Sequence, residues 1–263
     1  MIWWRKKAAL RPETSNANIH ALPDHIKTVY AIGDAHGMIN LVRKAEAAIS
    51  DDQDFAPETS LILYLGDLVD RGPESAFLLD FLAVKSKTGA DRMFLRGNHE
   101  AMMLRFLDDP AQHMNWLDFG GYETLNSYGI MTSVNKLRKM RNKDLVVLLQ
   151  ATISERHKTF MGAMVDAITS DRFFFAHAGV VPNVPLVQQT QDDLLWSRDR
   201  FMRHEDGFEK IIVHGHTPVP EAIFAKDRVS VDTGAYLTGR LSVAKISIDT
   251  ESVDFIVVTE GDD

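Results

Sequence analysis

The sequence predicts a mixed α/β fold. Short apolar runs closed by Gly and polar residues alternate with helix-period segments over the first hundred positions. A Met-rich, mostly helical stretch follows, and strand-like runs joined by short polar turns end the chain. A sheet that starts with crossovers and ends in hairpins is mixed, or is one layer of a two-sheet core. A chain of 263 residues is long enough to bury a full core as one such domain.

Residues 1–25 are expected to be an N-terminal extension, followed by a single domain over 26–263. The opening MIWWRKKAALRP (1–12) sets three basic residues behind two tryptophans. It lacks an apolar h-region followed by a small-residue cleavage site, so a loosely packed terminus is expected there and not a membrane anchor. TVYAIGDAHG (28–37), LILYLGDLVDRG (61–72) and RMFLRGNHE (92–100) read as strands and their exits, from their length and their β-branched or aromatic content. Between the first two, INLVRKAEAAIS has apolar residues at helical spacing. Between the second and third, PESAFLLDFLAVKSK begins with Pro73, which suits a first helical turn. The order β, α, β, α, β implies a sheet covered by helices. Residues 101 to about 170 are expected to form a helical cap or insertion whose methionines fill core gaps. RFFFAHAG (172–179) and KIIVHGHTP (210–218) resume the strands, and 228–258 reads as an antiparallel meander of three runs.

Metal-ligating residue types sit where the strands end. Asp34 and His36 follow the first, Asp67 and Asp70 the second, Asn98 and His99 the third, His177 the fourth, and His214 with His216 the fifth. Any one of them alone would be an ordinary turn residue. Their recurrence at five strand ends points to one cleft, because functional groups in α/β sheets gather at the carboxyl ends of strands. Three His, two Asp and an Asn make a mixed N/O set too large for one four-coordinate zinc site. Shared through a bridging carboxylate, the set suits two ions about 3.5 to 4 Å apart, the arrangement that clamps attacking and leaving oxygens in phosphoryl transfer. A hydroxide between the ions would be the nucleophile; arginines would hold the phosphate, and a histidine would protonate the leaving group.

Composition agrees with that chemistry and narrows it. Cysteine is absent, which excludes thiolate nucleophiles and thiolate zinc sites and leaves ligands suited to Mn, Fe, Zn or Mg, with two Mn²⁺ the expectation. With 29 Lys and Arg against 37 Asp and Glu, the formal charge is -8, which repels nucleic-acid polymers. No run of 18 apolar residues is present, so a cytoplasmic enzyme acting without membrane contact is expected.

The ordered set GDAHG (33–37), GDLVDRG (66–72), GNHE (97–100), HAG (177–179) and GHTP (215–218) resembles that of the PPP-type, calcineurin-like metallophosphoesterases. These include serine/threonine protein phosphatases, bacterial relatives of the phage lambda enzyme, and symmetrical diadenosine tetraphosphatases. The resemblance implies a four-layer α/β/β/α fold, a mixed-sheet β-sandwich flanked by helices. It implies Asp34, His36 and Asp67 on one ion, and Asp67, Asn98, His177 and His216 on the other. His99 would be the general acid, Asp70 its orienter and Arg71 a phosphate ligand. LLWSRDRF (194–201) resembles an element that supplies a second phosphate arginine, Arg198, with Arg200 as the alternative. His214 would lie behind or beside the site and Asp232 would support a loop, while Tyr236 and Arg240 would face the substrate. The implied substrate is a phosphorylated protein or peptide, with dinucleoside polyphosphates and other small phosphoesters as the alternative.

Overall fold

The computed structural model describes residues 17–261; the tryptophan-basic run at 1–12 lies outside the described residues. The chain runs β1 (Ile19–Ala21), β2 (Thr28–Ile32), α1 (Ile39–Ser50), β3 (Ser60–Tyr64), α2 (Ser75–Leu82), β4 (Asp91–Phe94) and α3 (Asn98–Asp108). Then come α4 (Gly121–Ser127), α5 (Val134–Lys139), α6 (Asn142–Thr152), α7 (Glu155–Gly162), β5 (Ala167–Thr169), β6 (Phe173–Ala176), α8 (Gln191–Trp196) and α9 (Arg198–Met202). It closes with β7 (Ile211–His214), β8 (Ile223–Ala225), β9 (Arg228–Ser230), α10 (Ala235–Thr238), β10 (Arg240–Ser247) and β11 (Val253–Thr259). No helix among the described residues is long and apolar enough to cross a membrane.

Successive strand side chains point to opposite faces, so a strand that is apolar at every position must be covered twice. Val29 and Ala31 of β2 and Leu61 and Leu63 of β3 join Phe173 and Phe175 of β6 and Val213 of β7 in a core between two sheets. The alternate residues Tyr30, Ile32, Ile62 and Tyr64 pack on α1, α2 and the helices that follow α3. Beyond the second sheet, Phe174, Ala176 and Ile212 pack on Leu194 of α8 and Phe201 of α9. The layers are therefore α/β/β/α, and each fully buried Phe or Leu contributes roughly 1.5–3 kcal/mol.

The first sheet has the order β11-β10-β2-β3-β4, the second β1-β5-β6-β7-β9-β8. In the first, β2, β3 and β4 are parallel; in the second, β6, β7 and β9 are parallel. These strands send their following loops toward the polar cluster described below.

Three features differ from expectation. The runs of 228–258 do not form one meander: β9 pairs with β7 and β8 in the six-stranded sheet, whereas β10 and β11 form a hairpin in the other. The crossing is made at α10, which is flanked by left-handed Gly234 and Gly239. Strand β1 lies inside the stretch assigned to an extension and pairs in parallel with β5. Pro73 precedes the helix, which begins at Ser75 after Glu74. The 101–170 region is helical, and its Met103, Met161 and Met164 are buried in the same core as the outer face of the first sheet.

Candidate metal centre

The loops that leave the strands are held in conformations that side chains disfavour. Among the described residues, eight non-glycine positions have positive φ, and five of them are His36 (41°), Asp67 (51°), Asp70 (75°), Arg71 (66°) and His216 (63°). A non-glycine residue in this region costs on the order of 1–3 kcal/mol and persists only where its surroundings impose it. Glu100 is a large part of those surroundings. From the first turn of α3, its buried carboxylate accepts the backbone N–H groups of Gly97 (2.9 Å), Asp67 (2.9 Å), Leu68 (2.7 Å) and Val69 (3.2 Å). The two loops cross at glycines: a Cβ on Gly97 would lie 2.2 Å from an Asp67 carboxylate oxygen, and one on Gly66 would lie 2.6 Å from Gly97 N.

Asp67 stands at the middle of the side-chain cluster that results. Its carboxylate lies 3.7 Å from His36 Nε2 and 3.9 Å from His99 Nε2 through one oxygen, and 3.3 Å from His177 Nε2 through the other. Asn98 Oδ1 lies 2.9 Å from His177 Nε2 and 2.8 Å from His216 Nδ1. His36 Nδ1 donates to the Val69 carbonyl and His177 Nδ1 to the Leu65 carbonyl, each at 2.8 Å, which turns the Nε2 lone pairs inward. Two groups of ligand atoms are thus close enough to hold an ion, His36–Asp67–His99 and Asp67–His177–His216, with Asp67 common to both. Carboxylate, amide and imidazole lone pairs aimed at one another repel unless a cation lies between them, and this N/O set fits borderline divalent ions. Asp34 is buried beside this cluster, with its two oxygens accepting the His216 N–H at 3.1 and 2.9 Å.

Burial and charge sort the protonation states. Burial draws His36 down to about 3 and, with the His177 charge, draws His216 down to about 3 as well, so both are neutral ligand forms. Burial also pulls on His177, but with no cation between them the Asp67 carboxylate outweighs it and carries that imidazole up to about 10, and a bound ion would displace the Nε2 proton. Burial alone would raise Asp67, yet His177 and His99 hold it well below the usual carboxylate range. Asp34 is pushed up by burial and by the nearby Asp232.

Asp70 serves a different purpose from Asp67. One of its oxygens accepts His99 Nδ1–H and Trp116 Nε1–H, both at 2.7 Å, and the other accepts the Thr124 hydroxyl at 2.7 Å. Asn98 and His99 occupy the first turn of α3, not the end of β4. Arg71 donates to His36 Nε2 at 2.9 Å, and its guanidinium carbon lies 5.1 Å from the Tyr236 ring. Arg198 is exposed at the start of α9, near enough for its charge to depress His216; Arg200 is also exposed. Arg240 donates to the Pro220 carbonyl, and Asp232 accepts Gly234 N–H at 2.8 Å within its own loop. His214 lies under the site, bonded to Ser230 Oγ at 2.9 Å and set edge-on to Phe201. Sequence reasoning assigned no role to Glu100, Trp116 or Thr124. Glu100 was legible as the acid three residues after a helix-capping Gly97, but nothing in the spacing ties Trp116 or Thr124 to Asp70.

Known proteins are consistent with this geometry. The chain is 27% identical over 247 residues to serine/threonine-protein phosphatase 2 of Escherichia coli (strain K12), covering 89% of this chain and 99% of that protein. It is 25% identical over 243 residues to the asymmetrical bis(5'-nucleosyl)-tetraphosphatase PrpE of Anoxybacillus flavithermus (strain DSM 21510 / WK1), covering 84% and 92%. Among solved structures, a provisionally assigned diadenosine tetraphosphatase superposes with a TM-score of 0.63 at 19% identity, covering 93% of this chain and all of the other. The calcineurin-like phosphoesterase profile matches residues 27–261, so by sequence, fold and candidate metal centre together the chain belongs to the calcineurin-like phosphoesterases.

Proposed function

We propose that this chain is a di-metal phosphomonoester hydrolase of the PPP type, acting as a serine/threonine protein phosphatase. The observation that carries the proposal is the Asp67 carboxylate shared by two groups of ligand atoms. When bound, two divalent ions supply Lewis-acid polarisation of the phosphoryl group and activation of water. Asp34, His36 and Asp67 would hold one ion, leaving His99 as the acid, and Asp67, Asn98, His177 and His216 would hold the other, with Mn²⁺ the preferred metal and Fe, Zn or Mg as alternatives. Arg71 and Arg198 hold phosphoryl oxygens.

His99 carries the proton that the leaving group needs. Burial opposes its charge, but Asp67 and Asp70 raise its pKa above the ordinary histidine value, which favours the protonated form that a general acid needs. Its Nδ1–H stays on Asp70, which leaves Nε2–H to be delivered to the departing oxygen. Relatives named as phosphatases support the protein substrate; those named as tetraphosphatases support a dinucleotide as the second reading. The decisive test is a kcat/KM panel of phosphoserine, phosphothreonine and phosphotyrosine peptides, mononucleotides and diadenosine tetraphosphate with Mn²⁺. A tenfold preference for the dinucleotide would favour the second reading, and turnover that survives exhaustive chelation would remove the metal-dependent mechanism.

A further inference from the structure

Trp116 and Thr124 both donate to the Asp70 carboxylate, so the residues between them are pinned at each end to the group that holds His99. That segment forms one side of a cleft of about 550 Å³ whose lining includes Arg71, Phe119, Tyr122, Glu123 and Tyr236. Gly120 locks the segment against Arg71: its carbonyl accepts Arg71 N–H at 3.2 Å, and a Cβ there would lie 2.5 Å from the same nitrogen. Tyr236 sets its ring 5.2 Å from the His36 ring, and Phe119 is half exposed.

We infer that this cleft is a leaving-group subsite that selects phosphoesters carrying a planar aromatic ring, with Phe119 as the stacking face. The inference rests on the di-metal hydrolase reading above and replaces its serine/threonine preference with an aromatic one, since a group protonated by His99 departs beside the segment that shares its carboxylate. A ring suits the lining better than a further anionic group, which would meet the Glu123 carboxylate, or an aliphatic chain, which gains no stacking. Stacking on one aromatic side chain changes binding by roughly tenfold. The ring has two sources: the phenol of phosphotyrosine, bonded directly to the ester oxygen, or the nucleobase of a nucleoside monophosphate, spaced from it by a sugar.

The test compares metal-loaded wild type, Phe119→Ala and Phe119→Trp on a phosphotyrosine peptide, adenosine 5'-monophosphate and a phosphoserine peptide. Dissociation constants for benzylphosphonate and methylphosphonate, which are not hydrolysed, are measured alongside. Phe119→Ala should lower the aromatic-to-phosphoserine ratio of kcat/KM roughly tenfold, and Phe119→Trp should retain it. A drop confined to the phosphotyrosine peptide identifies the phenol, and one confined to the mononucleotide identifies the base. An equal change on all three substrates overturns the subsite. If wild type hydrolyses none of them yet prefers benzylphosphonate in a Phe119-dependent way, the hydrolase reading fails and the subsite stands. A phosphonate preference untouched by Phe119→Ala, with or without turnover, overturns it.

Discussion

The two sheets serve the candidate centre unequally. Loops and the helix start beside the five-stranded sheet carry Asp34, His36, Asp67, Asp70, Arg71, Asn98 and His99, and four of the five left-handed polar residues lie there. The six-stranded sheet supplies His177 and His216, yet both are aimed by the other side. His177 is oriented by the Leu65 carbonyl just past β3, and the His216 backbone N–H is held by Asp34. The six-stranded sheet delivers two histidines, and the five-stranded side delivers the other groups and dictates where those two point. The spacing of the cluster therefore depends on how the inter-sheet core seats one layer on the other.

The hardest blow to this arrangement is Asp67→Ala, because Asp67 alone belongs to both ligand groups. Activity should fall on the order of 10³-fold or more, and metal analysis should show loss of bound ions. If two ions remain bound with high affinity, the bridge is not where it has been placed. Trp116→Phe keeps the ring packing against Phe106 but removes one donor to Asp70. A kcat loss of roughly 10–100-fold with metal content unchanged is expected.

The inter-sheet dependence is sharpened by a matched pair. Phe175 lies between the sheets and Leu194 lies outside the second one. Phe175→Leu and Leu194→Ala should both destabilise the fold, the second by about 2–5 kcal/mol. Only the first should weaken metal affinity severalfold, as read by competition with a metal-sensitive dye. Equal effects on affinity would mean that the sheets do not need their register to build the site.

The smallest effect is expected at the far side of the first sheet. Lys245 of β10 contacts Asp52 and Asp54, each at 2.7 Å. Burial works to raise the Asp52 carboxyl, but Lys245 prevails and holds it below its usual range. Such a carboxyl stabilises the fold above its unfolded value of about 3.9, and the contribution is lost as pH falls through the folded value. The pair is partly exposed and screened, so Lys245→Met should cost at most about 1 kcal/mol near pH 7. In urea melts the gap to wild type should close below about pH 4, with catalysis unaffected throughout.

What was legible in the sequence had a local signature. The apolar spacing of INLVRKAEAAIS matches α1, and ligand-type residues after the strands pointed to one cleft, where Asp67, His177 and His216 lie together. Other features depend on distant partners. The strand-like runs of 228–258 do not say which sheet each joins, and three-residue β1, β5, β8 and β9 are too short to show a period. Arg240 resembled a substrate-facing residue, but its guanidinium finds a carbonyl at Pro220. The contacts of Trp116 and Thr124 with Asp70 span 46 and 54 positions, beyond any spacing rule.

The left-handed backbone at His36, Asp67, Asp70, Arg71 and His216 has a consequence for directed evolution. At on the order of 1–3 kcal/mol each, the combined strain is comparable with the whole net stability of an ordinary domain, roughly 5–15 kcal/mol. Glycine would relieve it at every one of these positions. A selection for heat resistance that never assays chemistry would thus be drawn toward the very replacements that erase the centre, and its most robust survivors would be its most inert.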